Sequence, residues 1–408
     1  GICAMNNLLC IATLLISASV VGCASHSVKT VDAIPAIQAR HEIPEEELLD
    51  VGIVVFNPGV PTDEEALAEA GIFPEIREAE SRYLPFTLKQ TLQDTGHWGA
   101  VRVLPARTSS VDVLVKGEIV ASDGETLAVD INAKDAAGRE WLQKRYTQSA
   151  SRYSYGQDTA AAKMDPFQDL YDAVANDLLA VRQELSSEEI RALRTISELK
   201  FARELSPYAF QGYLEKNWRG QTEINRLPAN NDPMLKRVRQ IRNREYLFID
   251  TLDQHYANFQ LDMQDSYQDW REASHAETVA LKEIKGSALK RMLLGAASII
   301  GGVALAAGSD GSAAGALGNT MVLGGAMALA SGIDKNAQSQ IHADALQELG
   351  SSLETEVEPR MVKLEGETVT LTGSIEAQFK KWRRLLKKIY ATETGFAAHE
   401  TRSRSKDL

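Results

Sequence analysis

Cysteine is almost missing from this chain: Cys3, Cys10 and Cys23 are the whole complement of 408 residues. Everything after residue 23 can therefore form neither an internal disulfide nor a thiolate metal site. Histidine is sparse and scattered, and no two of His26, His41, His97, His255, His275, His342 and His399 stand at metal-ligand spacing on one helix. The motifs GxSxG, HExxH, a Walker lysine, a strand-following GxGxxG and CxxC are all missing. Positive charge is in deficit, 44 Lys and Arg against 56 Asp and Glu for a net −12, which excludes the basic footprint of a nucleic-acid binder. Acidic runs such as Glu45-Glu46-Glu47 read as solvated faces. The expectation is a protein that is not an enzyme and that has no cofactor, metal site or catalytic set.

What the chain does have is an apolar stretch, residues 292–333, whose only charge is Asp310 inside a Ser-Asp-Gly-Ser turn signal. Gly311, Gly318, Gly325 and Gly332 recur every seven residues, and Gly295 and Gly302 repeat the interval before the turn, so each arm carries a glycine stripe on one helix face. Such stripes let backbones approach closely. A glycine costs an exposed helix about 1 kcal/mol relative to alanine, so helix contacts or lipid must compensate. The arms, roughly 16 and 20 residues, lie at the lower edge of what crosses about 30 Å of hydrocarbon. Lys290 and Arg291 precede the stretch and Asp334 and Lys335 follow it, which puts both ends on one side. The expectation is a helical hairpin dipped into a bilayer; the alternative is the same hairpin buried inside an oligomer. The Gly311 to Gly318 run has no preceding strand and no Lys-Ser/Thr, so it reads as packing and not as a phosphate loop.

Residues 1–22 read as a signal peptide, with 1–4 as translated sequence ahead of the start at Met5, and the apolar core is too short to span as a mature helix. Its end, Val20-Val21-Gly22-Cys23, resembles the lipobox of bacterial lipoproteins. That resemblance implies cleavage before Cys23 and its acylation, with Ala24 implying sorting to the outer membrane. Residues 23–48 are polar and proline-punctuated and read as a lipidated tether.

A small α/β sandwich is expected over 49–150: a strand at 51–56, a helix at 75–95, then strands at 101–104, 111–122, 125–133 and 140–147, with Asp123-Gly124 as a hairpin turn. This pattern is similar to the small periplasmic domains of curli-export and penicillin-binding-protein-activator lipoproteins, which implies a partner-binding or ring-forming module. A helical region is expected over 160–290, with helices at 166–185 and 187–205, the second opened by a Ser186/Glu189 capping box. Asp232-Pro233 then starts a long helix, either unbroken to Lys290 or kinked near Ser274-His275, whose Val238, Ile241, Phe248, Leu252, Phe259, Met263 and Trp270 keep a coiled-coil-like spacing. Its aromatics Tyr246, Phe248, Phe259, Tyr267 and Trp270 read as core.

After the hairpin at 291–334 come a return helix at 335–358, a strand-turn-strand-helix segment at 359–395 and a disordered tail at 396–408. "LEGETVTLTGSIEAQFKKWRRL" resembles half of a BON domain, an envelope module associated with phospholipid surfaces. On its helix, Ile375, Phe379, Trp382, Leu386 and Ile389 form an apolar stripe flanked by Lys380, Lys381, Arg383, Arg384, Lys387 and Lys388. That face lies either on an anionic membrane or against the protein's own core.

The fold class expected is α+β. The layout resembles proteobacterial outer-membrane lipoproteins, so the chain is expected to be a lipid-anchored, periplasm-facing scaffold or export and assembly factor, held to membrane lipid through Cys23 and self-associating. Alternatives are an adaptor that activates an envelope enzyme through residues 49–150, and a pore walled by the glycine hairpin.

Overall fold

The structure, a computed structural model, describes residues 28–30, 34–63, 67, 72–155, 164–229, 231–303, 360–364, 367–371 and 374–394. The fold is α+β. A six-stranded mixed sheet has the order β1-β6-β5-β4-β2-β3, built from β1 (Val28–Thr30), β2 (Val51–Val54), β3 (Val101–Leu104), β4 (Val113–Ser122), β5 (Thr126–Asp135) and β6 (Glu140–Ser149). β2 pairs in parallel with β3 and β4, while β4, β5 and β6 form an antiparallel meander.

Helix α1 (Pro74–Asp94) links β2 to β3, and α2 (Gln168–Gln183) follows the sheet. Val113, Val115, Ile131, Ala133 and Tyr146 are buried, whereas Lys116, Glu118, Asp130, Asn132 and Arg145, which alternate with them, are not. Tyr146 and Lys144 both reach Asp177 of α2, so the helices cover the apolar face and the alternate face is polar, as antiparallel sheets allow. Pro85 stands inside α1 and lacks the N–H that would bond the Ser81 carbonyl. That carbonyl instead accepts from the Phe56 N–H at 2.9 Å, so the broken helix bond becomes a tie to the strand region.

Helix α3 (Ser187–Leu205) opens with the expected capping box, Ser186 and Glu189 exchanging bonds. A hairpin of β7 (Leu214–Lys216) and β8 (Thr222–Ile224) follows, where the sequence reads only as loop. Helix α4 (Pro233–Val303) runs 71 residues, about 107 Å at 1.5 Å per residue. Asp232 caps it by accepting from the N–H groups of Met234 and Leu235 at 2.8 and 3.2 Å. Hairpin β9 (Arg360–Leu364) and β10 (Glu367–Leu371) precedes the last helix, α5 (Ile375–Thr394).

Helix α4 continues through Ser274-His275, where the Ser274 hydroxyl donates to the Asp123 carbonyl at 2.9 Å. Two expectations change. Residues 23–48 are not wholly a free tether: β1 adds a parallel strand to β6, the Ala39 N–H donates to the Thr95 carbonyl, and Asn176 takes the Ile37 N–H. Nor does the core divide where the sequence suggests boundaries, since one apolar cluster runs from Leu49 through α1, α3 and α4 to Tyr390.

Candidate functional site

The most unusual chemistry lies where α4 seats on the α+β body. Arg271 is fully buried, and its Nη1 donates to Asp165 at 2.9 Å. The guanidinium lies 3.8 Å from the Tyr267 ring centre, 5.2 Å from Phe167 and 5.4 Å from Tyr83. Burial opposes its charge, but Asp165 and the buried tyrosines outweigh that, so its pKa is raised. Beside it the buried Glu80 accepts from the Tyr267 hydroxyl at 2.6 Å and from Ser122. Burial also pushes the Tyr83, Tyr171 and Tyr267 hydroxyls up, so all three stay neutral, Tyr83 donating to Asp165 at 3.1 Å and Tyr267 to Glu80.

The Asp123-Gly124 turn presses on the same turns of α4. Gly124 has φ +77°, and a Cβ there would lie 2.4 Å from the Arg271 carbonyl oxygen and 2.6 Å from the His275 nitrogen. Only glycine fits against that backbone. Ser274 and Thr278 both donate to the Asp123 carbonyl, and Lys282 pairs with Glu125.

Toward its start the helix is clamped by Arg102–Asp250 at 2.6 Å and by Lys89–Asp253. The buried Glu245 takes hydrogen bonds from Thr108 at 2.7 Å, Ser110 at 2.9 Å and Arg383 of α5 at 3.0 Å. The stripe from Val238 to Trp270 is buried, and among the described residues it packs on this body, including α1, α3 and α5.

The residues singled out in the sequence fall in three groups. Cys23, Gly311, Gly318, Gly325 and Gly332, together with the second hairpin arm, the return helix and the tail, lie outside the described residues. Gly295 and Gly302 lie in α4, which carries the first arm as a direct continuation of the long helix as far as Val303. Among the described residues no helix is long and apolar enough to cross a membrane.

The third group is corrected. Trp382 is not available to a membrane surface: it is buried and stacks on Phe248 at 5.1 Å, with Ile375, Phe379, Leu386 and Ile389 buried on the same side. Arg383 turns inward to Glu204 and Glu245, and Lys387 pairs with Glu204 at 3.1 Å. Lys380, Arg384 and Lys388 are exposed and Lys381 is half-buried, so the basic run is divided between core pairing and solvent.

Two cavities flank Asp112. One, about 400 Å³, is lined by Asp50, Asp112, Arg194, Arg239, Arg242 and Tyr246, and its charges are satisfied internally. Arg239 holds Glu198 through two bonds at 2.6 and 3.0 Å, Arg242 reaches the Ser110 carbonyl, and Asp112 accepts from Ser197 and the Asp50 N–H. Burial raises the Asp112 pKa against those donors. The second cavity, about 480 Å³, opens on the polar face of the sheet. Among the described residues no group of three or more His, Cys, Asp or Glu is placed to hold a metal.

Arg271, Asp165, Glu80 and Gly124 were not singled out as site residues in the sequence. Gly124 is visible there as half of a turn; nothing local marks Arg271, which follows Trp270 on an otherwise ordinary helix face. Comparison with models of protein families, with curated proteins and with solved structures finds no match.

Proposed function

We propose that the chain is a non-catalytic, lipid-anchored cell-envelope scaffold or assembly factor, in which α4 transmits the position of the α+β body to the glycine-rich apolar segment. The observation that carries this reading is the helix itself: 71 residues without a break, clamped along the body and continuing into Gly295 and Gly302. Its seat is built from buried pairs and apolar packing, which resist displacement. That suits a rigid spacer better than a hinge. The lipobox-like Val20-Val21-Gly22-Cys23 supports anchoring at the outer membrane, facing the periplasm. The glycine spacing supports close helix contacts, within a bilayer or between copies.

Two substitutions test it. Cys23→Ser should shift the protein from the membrane fraction to the soluble fraction, and unchanged resistance to carbonate extraction sinks the anchor. Gly318→Leu with Gly325→Leu should reduce oligomer size on native gels of detergent extracts, since overpacking a tight contact costs about 1–3 kcal/mol. An unchanged native mass removes the packing role of the stripe.

A further inference from the structure

The second cavity is bounded by the polar face of β4 and β5, the 107–109 loop, α3 and α5, and it is lined by eight charged side chains. Three are carboxylates, and each already has its donors. Asp112 accepts from Ser197 and the Asp50 N–H, Asp135 from Arg139 and the Trp141 indole, and Glu204 from Ser109 and Arg383. Arg383 is likewise consumed by Glu204 and Glu245.

The remaining cations are differently placed. Lys134 has one pairing, with Glu140 at 3.4 Å, both side chains about half exposed, and such pairs are weak. Among the described residues no carboxylate lies within ion-pair distance of Arg107, Lys116 or Lys200, although Lys116 and Lys200 are only partly exposed. Leu114 pairs with Lys134 and Lys116 with Asn132, so Lys116 and Lys134 are diagonal neighbours on one sheet face, about 7 Å apart at their Cβ atoms. Two ammonium groups rooted at that separation can close on a tetrahedral oxyanion between them. Lys200 approaches from α3 and Arg107 from the loop.

We propose that this cavity binds a ligand through a phosphoryl group. Lysines bind phosphate as point charges and the guanidinium fork of Arg107 matches phosphate geometry, and four such cations around one cavity suit a multiply charged oxyanion. The volume of about 480 Å³ admits a diphosphate or a phosphorylated headgroup as well as a single phosphate. The titration behaviour agrees: burial, then Arg107 and Lys134, pull the Lys116 pKa down, and burial, then Lys216 and Arg203, do so at Lys200, against Asp135. The fold holds these cations at a cost that an anion would relieve. This inference does not depend on the scaffold reading.

The full chain in non-ionic detergent is titrated with pyrophosphate and, separately, with citrate, following heat uptake and unfolding temperature. Pyrophosphate should bind saturably and raise the unfolding temperature, as any ligand of the folded state does. Lys116→Gln with Lys200→Gln should weaken binding at least tenfold while leaving the ligand-free unfolding temperature equal or higher, which shows the variant folded. Lys116→Gln alone should show a smaller loss, and Lys388→Gln, outside the cavity, none. Absence of saturable binding, equal affinity in the double variant, or citrate binding as tightly as pyrophosphate overturns the proposal. A vesicle arm identifies the source. Stronger attachment to phosphatidylglycerol than to phosphatidylcholine vesicles, weakened in the double variant, assigns a lipid headgroup. Equal vesicle attachment of both proteins, with pyrophosphate binding confined to the wild type, assigns a soluble phosphate.

Discussion

The seat of Arg271 and the basic cavity handle buried positive charge in opposite ways. Arg271 is wholly out of water, yet Asp165 and three aromatic faces answer it, and its pKa rises. Lys116 and Lys200 keep some solvent, but their nearest charged neighbours are mostly cations, and their pKa values fall. Burial alone therefore does not separate a structural charge from one awaiting a ligand; the partners do. A matched charge fixes an element in place, and an unmatched one retained in a cavity is a cost in search of a counter-ion.

The largest test breaks the matched side. Arg271→Ala should lower stability by about 3–5 kcal/mol in denaturant unfolding, because it strands Asp165 and opens a void under α4. Adding Asp165→Asn should recover part of that loss, which a pure cavity effect would not allow. Gly124→Ala comes next, at about 1–3 kcal/mol, since the new Cβ meets α4 backbone that cannot step aside and φ is +77°. Hydrogen exchange should quicken selectively at the amides of residues 271–278.

A third test uses acid. The Glu204 carboxyl is desolvated, which would raise its pKa, but Arg383, Ser109 and Lys387 more than offset this and hold it below its ordinary value. Its folded pKa is therefore depressed, so its contribution is present above the ordinary glutamate range and is lost as pH falls through the folded value. Solvent screens the pair, so the slope should amount to less than about 1 kcal/mol. Glu204→Gln should flatten the stability profile in that acidic window alone. The smallest effect has the opposite sign. Lys116 has a lowered folded pKa, so its charge destabilises the fold at neutral pH, and Lys116→Gln should raise stability by at most a few tenths of a kcal/mol. A clear loss of stability would mean that Lys116 is matched after all, and the comparison with Arg271 would fail.

Local signals in the sequence carried most of the secondary structure. Alternation placed β2 to β6 within a few residues, Ser186 and Glu189 marked the start of α3, and Asp232-Pro233 marked α4, because each rests on neighbours a few positions apart. Contacts across long separations were not legible. Arg271 and Asp165 are 106 residues apart, and Asp123 and Ser274 are 151. The hairpin of β7 and β8 was hidden because its strands are three residues each and lack an alternating apolar pattern. The stripe of α5 left two readings open for a related reason: an amphipathic stripe is the same whether it faces lipid or Phe248. The cavity cations were invisible as a group because β4, β5, the 107–109 loop and α3 assemble them from four places.

The strand β1 changes what an anchor at Cys23 would mean. With a lipid on Cys23 and a free tether to residue 49, the body could wander as far as the extended reach of 26 residues, about 90 Å. Because Val28 is registered against Arg145 at the edge of the sheet, only five Cα-to-Cα steps lie between anchor and fold, a reach of about 17 Å. An acylated chain would ride close against the bilayer, with the β1 edge of the sheet nearest the headgroups and a restricted set of orientations. It would be a moored body and not one on a long line.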